Sequence, residues 1–170
     1  MFMENPHEKY YLREAARLLR MSPMTLRRSL DLLLKNKLII KAEIKNQILY
    51  SANLDNPAFK YIKIAHNLSW FVKKDIVGFI QKNIPGASSV MLYGSYAKGE
   101  DVKSSDIDLL VIAPVKKDIS GALSALIGKE VNLSIFTPAQ WSKQAASNRA
   151  FYLDVITEGI ILHGTRPVVG

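Results

Sequence analysis

Cysteine is absent from the 170 residues, which removes disulfides, thiolate zinc sites and a cysteine nucleophile. Histidine is scarce. His7, His66 and His163 are scattered, with no spacing that suggests a metal cluster or a base beside a nucleophile, so structural or surface roles are expected for them. No stretch reaches the roughly 18 uncharged apolar residues of a membrane span. The opening MFMENPHEKYY lacks the charged-then-apolar order of a secretory signal. The expectation is a cytoplasmic protein with no membrane partner. There is no internal repeat and no low-complexity segment.

What is present is ample apolar material, 48% of residues, enough for one ordinary domain or two small ones. The net charge of +8 is unevenly spread: residues 1–60 hold 11 Lys/Arg against 6 Asp/Glu, residues 61–82 hold 4 against 1, and residues 83–170 hold 8 against 8. All the basic excess lies in the first half. That is the pattern expected if the first half meets a polyanion and the second does not; a merely solvated basic face is the alternative.

From Tyr10 to Leu19, Leu12, Ala15, Ala16 and Leu19 follow helical spacing and predict a first helix. After a break at Arg20-Met21, Ser22 is a natural N-cap and Pro23 a natural first helical residue. The second helix carries a core stripe of Leu26, Leu30, Leu33 and Leu34. Its opposite face shows Thr25, Arg28 and Ser29, flanked by Arg27 and Asp31. LIIKAEI and QILYSAN read as two strands joined at Lys45-Asn46, a small hairpin. Residues 8–54 resemble winged-helix regulators of the arsenic-repressor-like type. The resemblance implies double-stranded DNA as a partner, read by Thr25, Arg27, Arg28 and Ser29 from the second helix, with Lys41, Lys45 and Gln47 on the wing near the backbone. Winged helices that bind proteins are the alternative.

Asn56-Pro57 opens a long helical region to about Asn83, with a stripe of Tyr61, Ala65, Leu68, Val72, Ile76 and Phe79 and an expected break near Asn67. Its first part is expected to link two domains or to form the contact of a homodimer. Trp70 and Phe71 are expected to pack. Beyond Pro85-Gly86, short apolar runs alternate with helical stretches: Ser89 to Tyr93, Asp106 to Ala113, Val131 to Phe136, and Ile160 to His163. The fold class predicted for the chain is α+β, a winged helix followed by a mixed β-sheet flanked by helices. Its domains are expected at 1–56 (winged helix), 57–69 (helical linker) and 70–170 (the sheet domain).

The chemistry lies in VMLYGSYAKGEDVKSSDIDLLVIA. Side chains alternate along a strand, so Asp106 and Asp108 share one side and together suit a hard cation bound to a triphosphate. Gly94 lets backbone approach a phosphate, and Ser95 offers a hydroxyl at the start of a short helix.

GSYAKG followed by SDIDLLV resembles the nucleotidyltransferase superfamily, the polymerase-β-like fold, and within it the minimal nucleotidyltransferases. The resemblance covers about residues 70–164. It implies Mg²⁺- or Mn²⁺-dependent transfer of a nucleoside monophosphate, usually AMP, from ATP or another triphosphate to a hydroxyl, with pyrophosphate leaving. Carried over by position, Gly94, Ser95 and Ser105 hold the nucleotide, and Asp106 and Asp108 hold the metals and do the catalysis. Lys98 stands where the family has Arg or Lys, to neutralise phosphate or to close a surface salt bridge.

The family's third carboxylate, on the strand GKEVNLSIF, is here Asn132, which carries no charge and is no base. Glu130, two residues earlier, is a weak substitute. Trp141, Phe151 and Tyr152 line an acceptor pocket or the core, and Lys116-Lys117 reads as a solvated loop. Two functions remain open: a transferase tethered to DNA, or a regulator whose weakened site senses nucleotide or a partner. A third is one half of a toxin–antitoxin pair with a helical partner protein.

Overall fold

The computed structural model describes residues 1–170, which divide into two compact units, Met1–Lys63 and Ile64–Gly170. In the first unit the chain runs β1 (Tyr10–Tyr11), α1 (Leu12–Leu18), α2 (Pro23–Lys35), β2 (Ile39–Ile44) and β3 (Gln47–Ala52). The three strands form an antiparallel sheet in the order β1-β3-β2. The expected first helix is shorter than its apolar spacing indicates. Tyr10 and Tyr11 leave it to pair with Tyr50 and Leu49, and the Tyr10 ring packs edge-on against Phe2 with centroids 5.8 Å apart. Aromatic residues gain more on a half-buried sheet than in a first helical turn. Leu19 falls outside the helix and is exposed.

α2 starts where its punctuation indicates: Ser22 Oγ accepts the Thr25 amide at 3.1 Å, and Pro23 occupies the first turn. Leu26 and Leu30 are buried, and Leu33 and Leu34 pack beside them with Ala15, Ala16, Ile39 and Tyr50. The β2–β3 connection has two residues, Lys45 and Asn46, both at positive φ (50° and 59°), the conformation a two-residue hairpin demands.

α3 (Pro57–Lys73) differs from expectation twice. Tyr61, Ala65 and Val72 face outward, Tyr61 at 68% and Val72 at 79% exposure, while the buried line is Phe59, Lys63, Asn67 and Phe71. Two polar residues stand on this inner line because each is satisfied there. Lys63 Nζ donates to the Met3 carbonyl at 2.7 Å, and Asn67 Nδ2 donates to Asp101 Oδ1 at 2.8 Å. Asn67 is therefore a tertiary tie and no break. The break lies at Lys74–Asp75, where Asp75 adopts φ 49°, and α4 (Ile76–Asn83) follows.

The second unit continues β4 (Ser89–Tyr93), α5 (Gly94–Lys98), β5 (Ile107–Ile112), α6 (Ser120–Ile127), β6 (Val131–Phe136), α7 (Pro138–Ser147), α8 (Arg149–Glu158) and β7 (Ile160–Gly164). The sheet order is β6-β5-β4-β7, with β5 and β6 parallel and the other pairs antiparallel. Alternation divides β4 and β5 between two cores. Val90, Leu92, Leu109 and Val111 meet Phe71, Ile76, Ile80 and Leu123 on one face. Met91, Leu110 and Ile112 meet Trp141, Tyr152 and Val155 on the other. Asp108 and Tyr93 share the parity of this second face and stand at one end of it, where the core gives way to polar groups. No helix is long and apolar enough to cross a membrane.

Candidate functional site

The site is built at the junction of β4, α5, β5 and β6. β4 ends at Tyr93, and the chain turns at once through Gly94, whose φ of 68° is in the left-handed region. A Cβ at Gly94 would lie 2.2 Å from Asp108 Oδ2. Only glycine fits, for its backbone conformation and for the carboxylate standing over it. Register places Tyr93 opposite Asp108, and Asp108 opposite Asn132 on parallel β6. Asp106 lies just before β5, which begins at Ile107 and not at the expected Asp106. It is exposed, yet near enough for its charge to act on Asp108.

Asp108 is half-buried. Desolvation raises its carboxyl pKa above the usual range, the Asn132 hydrogen bond pulls it back, and Asp106 and Asp154 push it up again. Asn132 Nδ2 donates to Asp108 Oδ1 at 3.1 Å. The amide nitrogen must be the atom facing the carboxylate, since the amide oxygen there would set two acceptors together. Tyr93 is held above its normal pKa chiefly by burial; its hydroxyl is 3.4 Å from Ser134 Oγ and its ring meets Phe151 edge-on at 5.5 Å.

Lys98 Nζ is 2.5 Å from Asp154 Oδ1 on α8, an ion pair that raises the ammonium pKa. Of its two expected roles, this structure displays the salt bridge. Ser105 Oγ accepts the Val102 amide at 2.9 Å and so closes the loop before β5. Ser95 lies in α5, partly exposed, beside Asp108's glycine. Trp141 and Tyr152 belong to the core: the indole donates to the Pro167 carbonyl at 2.6 Å, and the tyrosine hydroxyl accepts the Val169 amide at 2.8 Å. Phe151 alone of the three is half-buried beside Tyr93. Glu130 is exposed, and its carbonyl accepts the Ile107 amide. Lys116 lies 5.5 Å from the centre of the Phe136 ring. No sequence spacing points to Asp154; only tertiary packing of α8 against α5 brings it to the site.

In the first unit, Arg27, Arg28, Lys41 and Lys45 are all exposed, on α2, on β2 and at the hairpin turn. Thr25 and Ser29 are exposed but engaged, Thr25 Oγ1 with Ser22 Oγ at 2.8 Å and Ser29 Oγ with the Thr25 carbonyl at 3.4 Å.

The acidic pair fits a hard divalent cation of a particular kind. Asp108 carries a partly desolvated charge that a cation would offset, and its Oδ2 points at the Gly94 turn. Yet nowhere do three His, Asp or Glu side chains gather as a metal cage. Two carboxylates suit a cation that brings its own oxygen ligands, as one bound to phosphates does.

The chain is similar to several known proteins. A candidate protein adenylyltransferase of Methanocaldococcus jannaschii is 27% identical over 95 residues, 53% of this chain and 93% of that protein. A crystal structure of a toxin–antitoxin with AMP-PNP superposes at TM-score 0.42 and 25% identity, over 54% of this chain and 72% of that one. A candidate nucleotidyltransferase from Sulfolobus solfataricus superposes at TM-score 0.35 and 16% identity, over 62% and 86%. The nucleotidyltransferase domain profile matches residues 59–158. That span is more than half of the chain and contains the Gly94 turn, both aspartates and Asn132: the chain belongs to the nucleotidyltransferase domain family.

Proposed function

We propose that the second unit binds a nucleoside triphosphate with a divalent cation and transfers its nucleoside monophosphate, AMP in the first instance, to a hydroxyl group of a protein. The observation that carries this is the placement of the Gly94 turn directly against the Asp108 carboxylate, which brings a phosphate-accepting backbone and the acidic pair to one point. Gly94 and Ser95 hold the β/γ phosphates, and Asp106 and Asp108 hold Mg²⁺ or Mn²⁺, which neutralises phosphate charge. The acceptor oxygen bonds to the α-phosphorus, the bond to pyrophosphate breaks, and the hydroxyl proton leaves to water. A protein acceptor is favoured by the relative described as a protein adenylyltransferase, almost all of whose length this chain matches.

Labelled ATP incubated with wild type, Asp106→Asn and Asn132→Asp tests the reading. Transfer by wild type that vanishes in Asp106→Asn supports the enzyme. Transfer appearing only in Asn132→Asp supports the second reading, a nucleotide sensor. That reading is favoured by the Asn132 amide facing Asp108 where a base would stand. Absence of Mg-dependent nucleotide binding in all three defeats both.

For the first unit we propose a winged helix that binds duplex DNA. Arg27 and Arg28 stand exposed on a helix whose other face is anchored by Leu26 and Leu30, and Lys41 and Lys45 stand on the adjoining hairpin.

A further inference from the structure

We propose that the Asn132 amide occupies the place of a second cation, so that the site takes one divalent ion with its nucleotide and excludes another. The inference rests on the nucleotide-binding reading and concerns the stoichiometry of that site. The two oxygens of Asp108 are not equivalent. Oδ2 overhangs Gly94, on the side where phosphates would arrive. Oδ1 points across the sheet to β6 and accepts the Asn132 Nδ2–H at 3.1 Å. The pairing follows from register: Asp108 and Asn132 are direct partners in a parallel ladder and lie on the same face.

An amide N–H aimed at a carboxylate oxygen does two things that a missing carboxylate alone does not. It satisfies Oδ1 with a partial positive charge, removing much of the reason for an ion to bind there. It also places an N–H, and no lone pair, against that oxygen, so that a cation approaching Oδ1 from β6 meets partial positive charge. An aspartate at 132 would reverse both terms. An alanine would remove the amide without adding charge, leaving Oδ1 open. Asp106, exposed and before the strand, remains available with Oδ2 for the single ion that accompanies the triphosphate.

The two explanations for a one-ion site therefore part at Asn132→Ala. If position 132 merely lacks a charge, alanine behaves as wild type. If the amide actively fills the position, alanine binds a second ion more tightly than wild type, by the roughly 3- to 10-fold that one net hydrogen bond represents. Asn132→Asp binds it more tightly still.

Paramagnetic resonance of free Mn²⁺, titrated into the full chain with a non-hydrolysable ATP analogue, counts the ions retained. The expected result is one Mn²⁺ per wild-type complex, a weaker second ion in Asn132→Ala and two in Asn132→Asp. Circular dichroism of each variant checks that the fold is kept. Two Mn²⁺ in wild type, or Asn132→Ala indistinguishable from wild type, overturns the inference and leaves the nucleotide site standing. No nucleotide-dependent Mn²⁺ retention in any variant, including Asn132→Asp, overturns the nucleotide reading and the inference with it.

Discussion

Lys98 Nζ on α5 lies 2.5 Å from Asp154 Oδ1 on α8, so the cation at the end of the helix that starts at Gly94 is held by a carboxylate. The side chains remain 28% and 37% exposed, and a pair so open to water is worth at most about 1 kcal/mol. Triphosphate can compete for Lys98 at that expense. Asp154→Asn is expected to tighten Mg-nucleotide binding by about 2- to 5-fold, since Lys98 then needs no release. Lys98→Met should weaken binding, and the double variant should match Lys98→Met alone. Calorimetric titration of the three against wild type measures this, and weaker binding in Asp154→Asn would show that the pair positions Lys98 instead of restraining it.

Gly94→Ala brings a methyl to 2.2 Å from Asp108 Oδ2 in a backbone conformation that L-residues avoid. Either the carboxylate moves or the turn does, and both belong to the site. Nucleotide affinity is expected to fall at least 10-fold, with a stability loss of about 1–2 kcal/mol from left-handed strain. Nucleotide titration and urea unfolding of the same preparation separate the two effects. Unchanged affinity would remove Gly94 from the site.

Asp108→Asn tests whether this carboxylate is held at the expense of the fold. Burial raises the folded-state pKa of Asp108 above its unfolded value, so the folded state prefers the protonated form. Its ionised form therefore destabilises the protein at neutral pH, and that penalty lifts as pH falls through the folded pKa. Asparagine keeps an acceptor for Asn132 and removes the charge. The variant is expected to melt about 1–3 °C higher than wild type at pH 7, with the gap closing under acid, and to lose cation-dependent nucleotide binding. Lower stability of the variant at pH 7 would contradict it.

Local signals were legible wherever one interaction range decided the outcome. Ser22-Pro23 caps a helix by its own hydrogen bond, and Gly94-Ser95 with Asp106 and Asp108 lies within 15 residues of chain. What escaped depends on partners far along the sequence. Tyr10 chooses a strand because Tyr50 offers an edge. The buried side of α3 carries Lys63 and Asn67, which apolar periodicity assigns to the outside, because Met3 and Asp101 satisfy them. Asp154 reaches the site from α8, 56 residues beyond its partner Lys98, and no spacing rule finds such a pair.

On duplex DNA, the exposed cations and the hydroxyl residues of the first unit should behave differently. Arg27, Arg28, Lys41 and Lys45 are exposed cations, and each one that neutralises a phosphate contributes about 0.9 to the slope of log affinity against log salt. Thr25 and Ser29 are already hydrogen-bonded within α2 or its cap, so their role on DNA is confined to what their remaining hydrogen-bonding capacity supplies. Arg28→Ala and Lys45→Ala are therefore expected to lower the salt slope by about one each and to weaken all sequences alike. Thr25→Ala should leave the slope unchanged while loosening the start of α2. Fluorescence anisotropy with duplex DNA over a salt series reads both quantities. Equal slopes for wild type and Arg28→Ala would take Arg28 off the backbone, and binding no stronger than that of an equally basic control protein would remove DNA as the partner of this unit.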